Sequence, residues 1–207
     1  MAGALDVMTR APLRTVRPRD LAAVYTQPNV QLTRLTRQGR VRKVAAGLYY
    51  ALPDDRDPAW LPTLEAAAAG AATALYGDRV PVLMHVTAAR LHGALPRAIT
   101  QAVVAVPAQH RALQVLDRPT GVITFVTRDV EALDAVLVRT DLGPALVTTP
   151  EQTVLDLTKR PALAGMPGEV RDAVRTLLPR CAPDRLDEIA REQRMGTTLA
   201  RLRAEHP

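Results

Sequence analysis

The chain of 207 residues has no serine, one cysteine, two lysines among its 27 basic residues and only 3% aromatics. Each shortage excludes something. Without serine there is no serine nucleophile of the hydrolase kind. With Cys181 alone there is neither an internal disulfide nor a thiolate cluster for zinc. So few aromatics leave the core to alanine, leucine and valine. Charge-free runs stop at thirteen residues, Leu21 to Thr33 and Ala98 to His110, where a membrane helix needs about 20 mostly apolar ones. The opening stretch, Met1 to Pro12, has neither the basic nor the apolar region of a secretory signal, so the expected compartment is a bacterial cytoplasm. The 11 glycines are scattered and spell neither a phosphate-binding loop nor a dinucleotide fingerprint. No cofactor is expected.

What is present is an ordinary globular balance, 47% hydrophobic and 23% charged, too apolar for disorder along the whole length. The net charge of +6 is unevenly placed. From Met1 to Pro53, nine bases (Arg10, Arg14, Arg17, Arg19, Arg34, Arg37, Arg40, Arg42, Lys43) stand against two acids, Asp6 and Asp20, a net of +7. The other 154 residues carry 18 bases and 19 acids, a net of −1. A GC-rich genome accounts for arginine replacing lysine but would spread the excess evenly. A cationic segment on a nearly neutral body points to a polyanionic partner for that segment.

Residues 1–53 read as a short helix from about Ala2 to Thr9, an extended stretch from Leu13 to Val16, and a helix from Pro18 to about Tyr25 with Leu21 and Val24 inward. The polar turn Thr26-Gln27-Pro28-Asn29 leads to a second helix from about Asn29 to Gln38, ended by Gly39. Val41 to Ala45 and Leu48 to Leu52, around Ala46-Gly47, read as a hairpin. Helix, turn, helix and hairpin in this order is the winged helix-turn-helix layout. Pro53 to Pro58 has a linker's composition, proline at both ends and acids between.

Beyond the linker, an alanine-rich helix is expected from Ala59 to Tyr76 and a shorter one from Val86 to His92, ended by Gly93. Strands are expected at Gln101 to Val106, Val122 to Val126, Ala135 to Arg139 and Ala145 to Val147. Thr149-Pro150-Glu151-Gln152 opens a helix to about Lys159, with Thr149 as its cap and Gln152 completing a capping box. Helices over Glu169 to Leu178 and Asp184 to about Arg203 complete an all-helical end. The fold class is therefore α+β: an N-terminal winged helix-turn-helix over 1–53, then a mixed α/β domain over 59–207 with a helical C-terminal end.

The DNA-reading residues follow from the helix after the turn. With Val30, Leu32 and Leu35 taking the inner side, its outward set includes Gln31, Thr33, Arg34, Arg37 and Gln38. Arginine bonds guanine, and glutamine or asparagine bonds adenine, in bidentate fashion. Asn29, Gln31 and Arg34 lie nearest the amino end, which points into the groove. Arg40, Arg42 and Lys43 on the wing are expected on phosphates, and Arg17 and Arg19 complete the cationic set. The rival explanation is a solvated basic face that docks onto protein.

Other chemistry-bearing residues have ordinary explanations. His85 and His92 are seven apart, not the four of a metal-ligating helical pair, and His110 adds no recognisable spacing. Cys181 has a neighbouring cation, Arg180, but no candidate base. Asp54, Asp55 and Asp57 lack the spacing and closing glutamate of a calcium loop. No metal site is expected.

Arg17 to Leu52, "RPRDLAAVYTQPNVQLTRLTRQGRVRKVAAGLYYAL", resembles the amino-terminal winged helix of AbiEi-type antitoxins and related transcriptional regulators. "HVTAARLHGALP" (His85 to Pro96) and "TTPEQTVLDLTKRP" (Thr148 to Pro161, carrying Asp156) are similar to that family's carboxy-terminal antitoxin domain. The resemblance implies a non-enzymatic antitoxin that neutralises a nucleotidyltransferase-type toxin and represses its own operon by binding promoter DNA, at repeats. The alternatives are a transcriptional regulator whose second domain senses a small ligand, without a toxin partner, and an enzyme with a DNA-binding head.

Overall fold

In the computed structural model, which describes residues 3–206, the first segment builds a small three-stranded sheet with helices on it. Helix α1 (Ala4–Arg10) buries Ala4 and Met8; the expected start at Ala2 lies outside the described residues. A 3-10 turn, Pro12–Arg14, holds Leu13 and Arg14 at φ 50° and 53° and delivers the chain to β1 (Thr15–Val16). The helix expected from Pro18 to Tyr25 is not formed. Pro18–Leu21 form a 3-10 turn, the next residues only a hydrogen-bonded turn in which the Val24 and Tyr25 N–H groups donate to the Leu21 carbonyl at 3.0 and 2.9 Å, and Val24 is 44% exposed. The stretch has one fully buried anchor, Leu21, because Val24 faces solvent, and a short helix depends on packing an apolar side; Pro28 only keeps Gln27 out of helical geometry. Helix α2 (Pro28–Arg37) starts at that proline, whose fixed φ suits a first turn.

Leu32 and Leu35 bury the inner side of α2 against Met8, Leu21, Val41 and Ala51. Val30 was expected with them but is 55% exposed. At 100° per residue it shares a side with Arg34 and Arg37, four and seven positions on. Strands β2 (Val41–Ala45) and β3 (Leu48–Ala51) turn at Gly47, where φ is 72°, and β1 pairs antiparallel to β3, giving the order β1-β3-β2.

Helix α3 runs over Leu64–Tyr76, not from Ala59, because Pro62 stops it; Thr63 caps it, accepting from the Ala66 N–H at 3.4 Å. Every residue from Leu64 to Ala74 is buried. That is possible because alanine and glycine let backbones approach on all sides. A second sheet of six strands has the order β6-β7-β5-β4-β9-β8. Its members are β4 (Val82–Leu83), β5 (Gln101–Val106), β6 (Leu113–Gln114), β7 (Val122–Thr127), β8 (Ala135–Thr140) and β9 (Gly143–Thr148). β5 and β7 are parallel, β4 joins β5 antiparallel and β9 parallel, and β8 with β9 forms a hairpin.

The remaining helices are α4 (Val86–Leu91), α5 (Pro150–Lys159), α6 (Pro167–Leu177), α7 (Pro183–Glu192) and α8 (Gly196–Glu205). One helix was expected over Asp184 to Arg203; the chain instead breaks at Arg194, φ 54°, and buries Met195. The break lets α8 fold back onto α5 and α7. Gln152 also departs from expectation. It accepts from the Asp134 N–H at 3.4 Å and does not close a capping box on Thr149.

The two sheets share a core. Leu13, Val44, Leu48, Tyr50 and Leu52 of the first segment belong to the same buried cluster as α3 and the strands of the large sheet. The Leu116 N–H donates to the Val44 carbonyl at 2.9 Å, and the Tyr50 hydroxyl donates to Asp117 at 3.1 Å. Burial, with Asp117 beside it, holds the Tyr50 phenol well above its ordinary pKa, so it stays a donor.

Candidate nucleic-acid interface

One side of α2 is unpartnered. Asn29, Val30, Thr33, Arg34, Arg37 and Gln38 line a shallow open trough of about 520 Å³ on it. These positions repeat at helical spacing, so a straight rod-shaped partner meets all of them together. Thr33 returns its hydroxyl to the Asn29 carbonyl at 2.8 Å, which leaves its methyl outward. Gln31, expected among the readers, is half-buried and lies outside the trough.

The other cations divide into held and free. Arg14 spends its guanidinium on the carbonyls of Ala51 and Leu52, at 3.1 and 2.9 Å. Arg17 grips Asp20 at 3.4 Å and reaches the Leu75 carbonyl on α3. Arg40 pairs with Asp54 of the linker at 3.1 Å, and half-buried Arg42 donates to the Pro58 carbonyl. The linker thus neutralises or occupies two of the wing residues that were expected on phosphate. Arg34 and Arg37 form no ion pair among the described residues; Arg19, 70% exposed, has only a loose one to Asp20 at 3.9 Å. Lys43 is exposed, with its ammonium 5.9 Å from the Tyr49 ring.

In the second unit, the two motifs that carry the sequence resemblance turn out to hold each other. The His92 Nε2 is 2.7 Å from the Thr148 carbonyl, and the His85 Nε2 is 3.0 Å from the Arg160 carbonyl. Both rings act as donors there, because a carbonyl only accepts. His85 is fully buried, and burial lowers its pKa to about 4, so it is neutral and serves as a strut. Asp156 is buried beside Arg128 at 2.9 Å, and burial raises its carboxyl above the usual range even so. His85, Arg128, Asp156, Lys159 and Arg160 line a cleft of about 350 Å³. Nothing in the sequence flagged Arg128, which comes from the end of a strand far from α5.

The remaining candidates have structural roles. Asp54 pairs with Arg40, and Asp57 accepts from the Ala59 N–H at 2.6 Å. Burial, then Glu151, pushes the Cys181 thiol up to about 12, against the cation Arg180, so it is protonated and unreactive. Among the described residues no group of three His, Cys, Asp or Glu is placed to hold a metal ion, and no helix is long and apolar enough to cross a membrane.

Two solved structures share this fold. The RV2827C protein from Mycobacterium tuberculosis superposes with a TM-score of 0.58 at 17% identity, over 89% of this chain and 68% of that one. An antigenic nucleotidyltransferase-like protein from Paracoccidioides brasiliensis gives 0.50 at 12% identity, over 71% of this chain and 92% of its own. No curated protein matches the sequence. Residues 80–204, containing both interlocked motifs, match the AbiEi antitoxin C-terminal domain. That match takes in more than half of the chain, and the protein belongs to the AbiEi antitoxin family.

Proposed function

We propose that this protein is the antitoxin of a bacterial toxin–antitoxin pair, that it counters a nucleotidyltransferase-type toxin, and that it represses its own operon by binding promoter DNA with α2. The observation that carries the DNA half is the side of α2 left open, where Arg34 and Arg37 are unspent and flank Asn29, Val30 and Gln38. Arginine suits guanine, asparagine and glutamine suit adenine, and the exposed valine suits a thymine methyl. The toxin half rests on the family, whose C-terminal domain makes up most of the second unit. Residues 1–53 act as the DNA-binding unit and residues 59–207 as the neutralising one, in the cytoplasm.

The test is gel-shift titration with the promoter fragment and with scrambled duplex. Arg34→Ala should relax sequence preference, costing about 1–3 kcal/mol on the promoter alone. Lys43→Ala should weaken both duplexes alike and reduce the log–log salt slope by about 0.9. Equal losses on both duplexes from both changes would falsify the assignment of α2 as the reading helix. Co-purification with the product of a neighbouring nucleotidyltransferase-like gene tests the toxin half. A second reading, a ligand-sensing regulator without a toxin, draws on the cationic cleft beside Asp156. Failure to recover any toxin partner, with promoter binding intact, selects it.

A further inference from the structure

The large sheet ends in two edges of opposite character. At one edge β6 has two residues, too short to template another strand. At the other, β8 has six, with no proline, no lysine and no bulge in its register with β9. Arg139 is its only charge, and Val136 and Leu137 are 44% and 49% exposed. They project to opposite faces of the strand, so neither face of this edge is fully covered. Proteins ordinarily blunt such an edge, and this one is left open.

The hydrogen-bond phase of β8 can be read. The Thr149 N–H donates to the Asp134 carbonyl at 2.9 Å, and the hairpin closes on the pair Thr140 and Gly143. Antiparallel pairing alternates, so Val136, Val138 and Thr140 face β9, and Ala135, Leu137 and Arg139 turn their N–H and C=O groups outward. We propose that a second copy of this chain docks here, its β8 antiparallel to the first across a two-fold axis at Leu137. In that register the outward residues match completely: Ala135 meets Arg139 of the second copy, Leu137 meets its own counterpart, and Arg139 meets Ala135. Val136 falls opposite Val138, so the apolar centre is covered from both sides. Asp134 falls opposite Thr140, and no like charges face each other. Apolar side chains meet apolar ones and the single charge, Arg139, meets Ala135 and not its own counterpart, which is why the occupant is another copy. The two six-stranded sheets become one. The inference stands apart from the DNA reading, since α2 belongs to the other sheet.

Sedimentation of the full chain over a concentration series tests it. A single added strand buries little area, so the dimer forms with a dissociation constant of about 1–100 μM. Leu137→Arg places two cations on the axis and should weaken the dimer by about tenfold or more while leaving circular dichroism unchanged. In a Cys181→Ala background, oxidised Leu137→Cys should cross-link into dimers, because paired Cα atoms there lie about 5.5 Å apart, within disulfide reach. Thr140→Cys, displaced along the strand from its own copy, should not. A chain that stays monomeric at every concentration, a dimer indifferent to Leu137→Arg, or cross-linking as efficient at 140 as at 137 each overturns the proposal.

Discussion

At the scale of single residues, His85 shows how burial turns a chemically versatile side chain into a structural one. Its ring cannot reach solvent and donates to the Arg160 carbonyl, while its backbone takes the position before α4 with φ 57°. Its pKa falls from 6.5 to about 4 on folding, so the unfolded chain takes the proton more readily. Stability is therefore intact above 6.5 and declines as pH drops toward 4, by up to about 3 kcal/mol. Asp134 adds to acid sensitivity at lower pH: burial works against its ionisation, but hydrogen bonds from Arg185 and Thr149 hold its pKa below 3.8. Asp156 opposes both, because burial makes its folded form the better proton acceptor. Urea midpoints across this range should fall for the natural chain and flatten in His85→Gln. A midpoint insensitive to pH between 6.5 and 4 would remove the neutral-strut account.

At the scale of elements, α5 was readable because its cap was, whereas the cap of α3, Thr63, went unread and its start was placed five residues early. Thr149 caps α5 as expected, accepting from the Gln152 N–H at 3.3 Å, and its hydroxyl also donates to Asp134 at 2.6 Å. Thr149→Ala removes both and should cost about 1–2 kcal/mol by chemical denaturation, most of it restored in Thr149→Ser. Strand β5 matched its expected limits because Ala102 to Val106 is a continuous buried apolar run carrying three valines. β4 and β6 escaped notice because two residues display no alternation. The first helix of the expected helix-turn-helix shrank to a 3-10 turn, since Leu21 of its apolar pattern reaches the core but Val24 does not. The outward side of α2 was mostly legible from period alone. Val30 lies outward despite its apolar character, on the open side with Arg34 and Arg37.

At the scale of the whole molecule, the cationic head is not merely tethered to the body. Gly70, in the middle of α3, faces Thr15 of β1; a Cβ there would collide with Thr15 Oγ1 and lie 3.2 Å from Thr15 Cβ. Helix propensity favours alanine over glycine by about 1 kcal/mol, yet Gly70→Ala should destabilise by about 1–3 kcal/mol, because both backbones at this contact are fixed. Thr15→Ala in the same chain should recover part of the loss in denaturation midpoint. If Gly70→Ala instead stabilises the protein, the head and body are not in the tight contact described here. Head and body should likewise unfold in one transition, since Leu48, Tyr50 and Leu52 lie in the body's core. Deleting the first 53 residues would strip that core, so point changes on α2 are the sound test of DNA binding.

Composition and order along the chain were enough to establish the charge split, the α+β class, the limits of β5, β7 and β8 within a residue and the capped start of α5, all of which depend on neighbours within a few positions. They were also enough to single out the two motifs of the antitoxin domain. Contacts between distant segments decided the rest: that the linker occupies Arg40 and Arg42, that Val30 is exposed, that Arg128 meets Asp156, and that the two motifs are pinned together by His85 and His92. A local pattern specifies which way a side chain points on its own element, but what it meets there depends on packing between segments tens of residues apart.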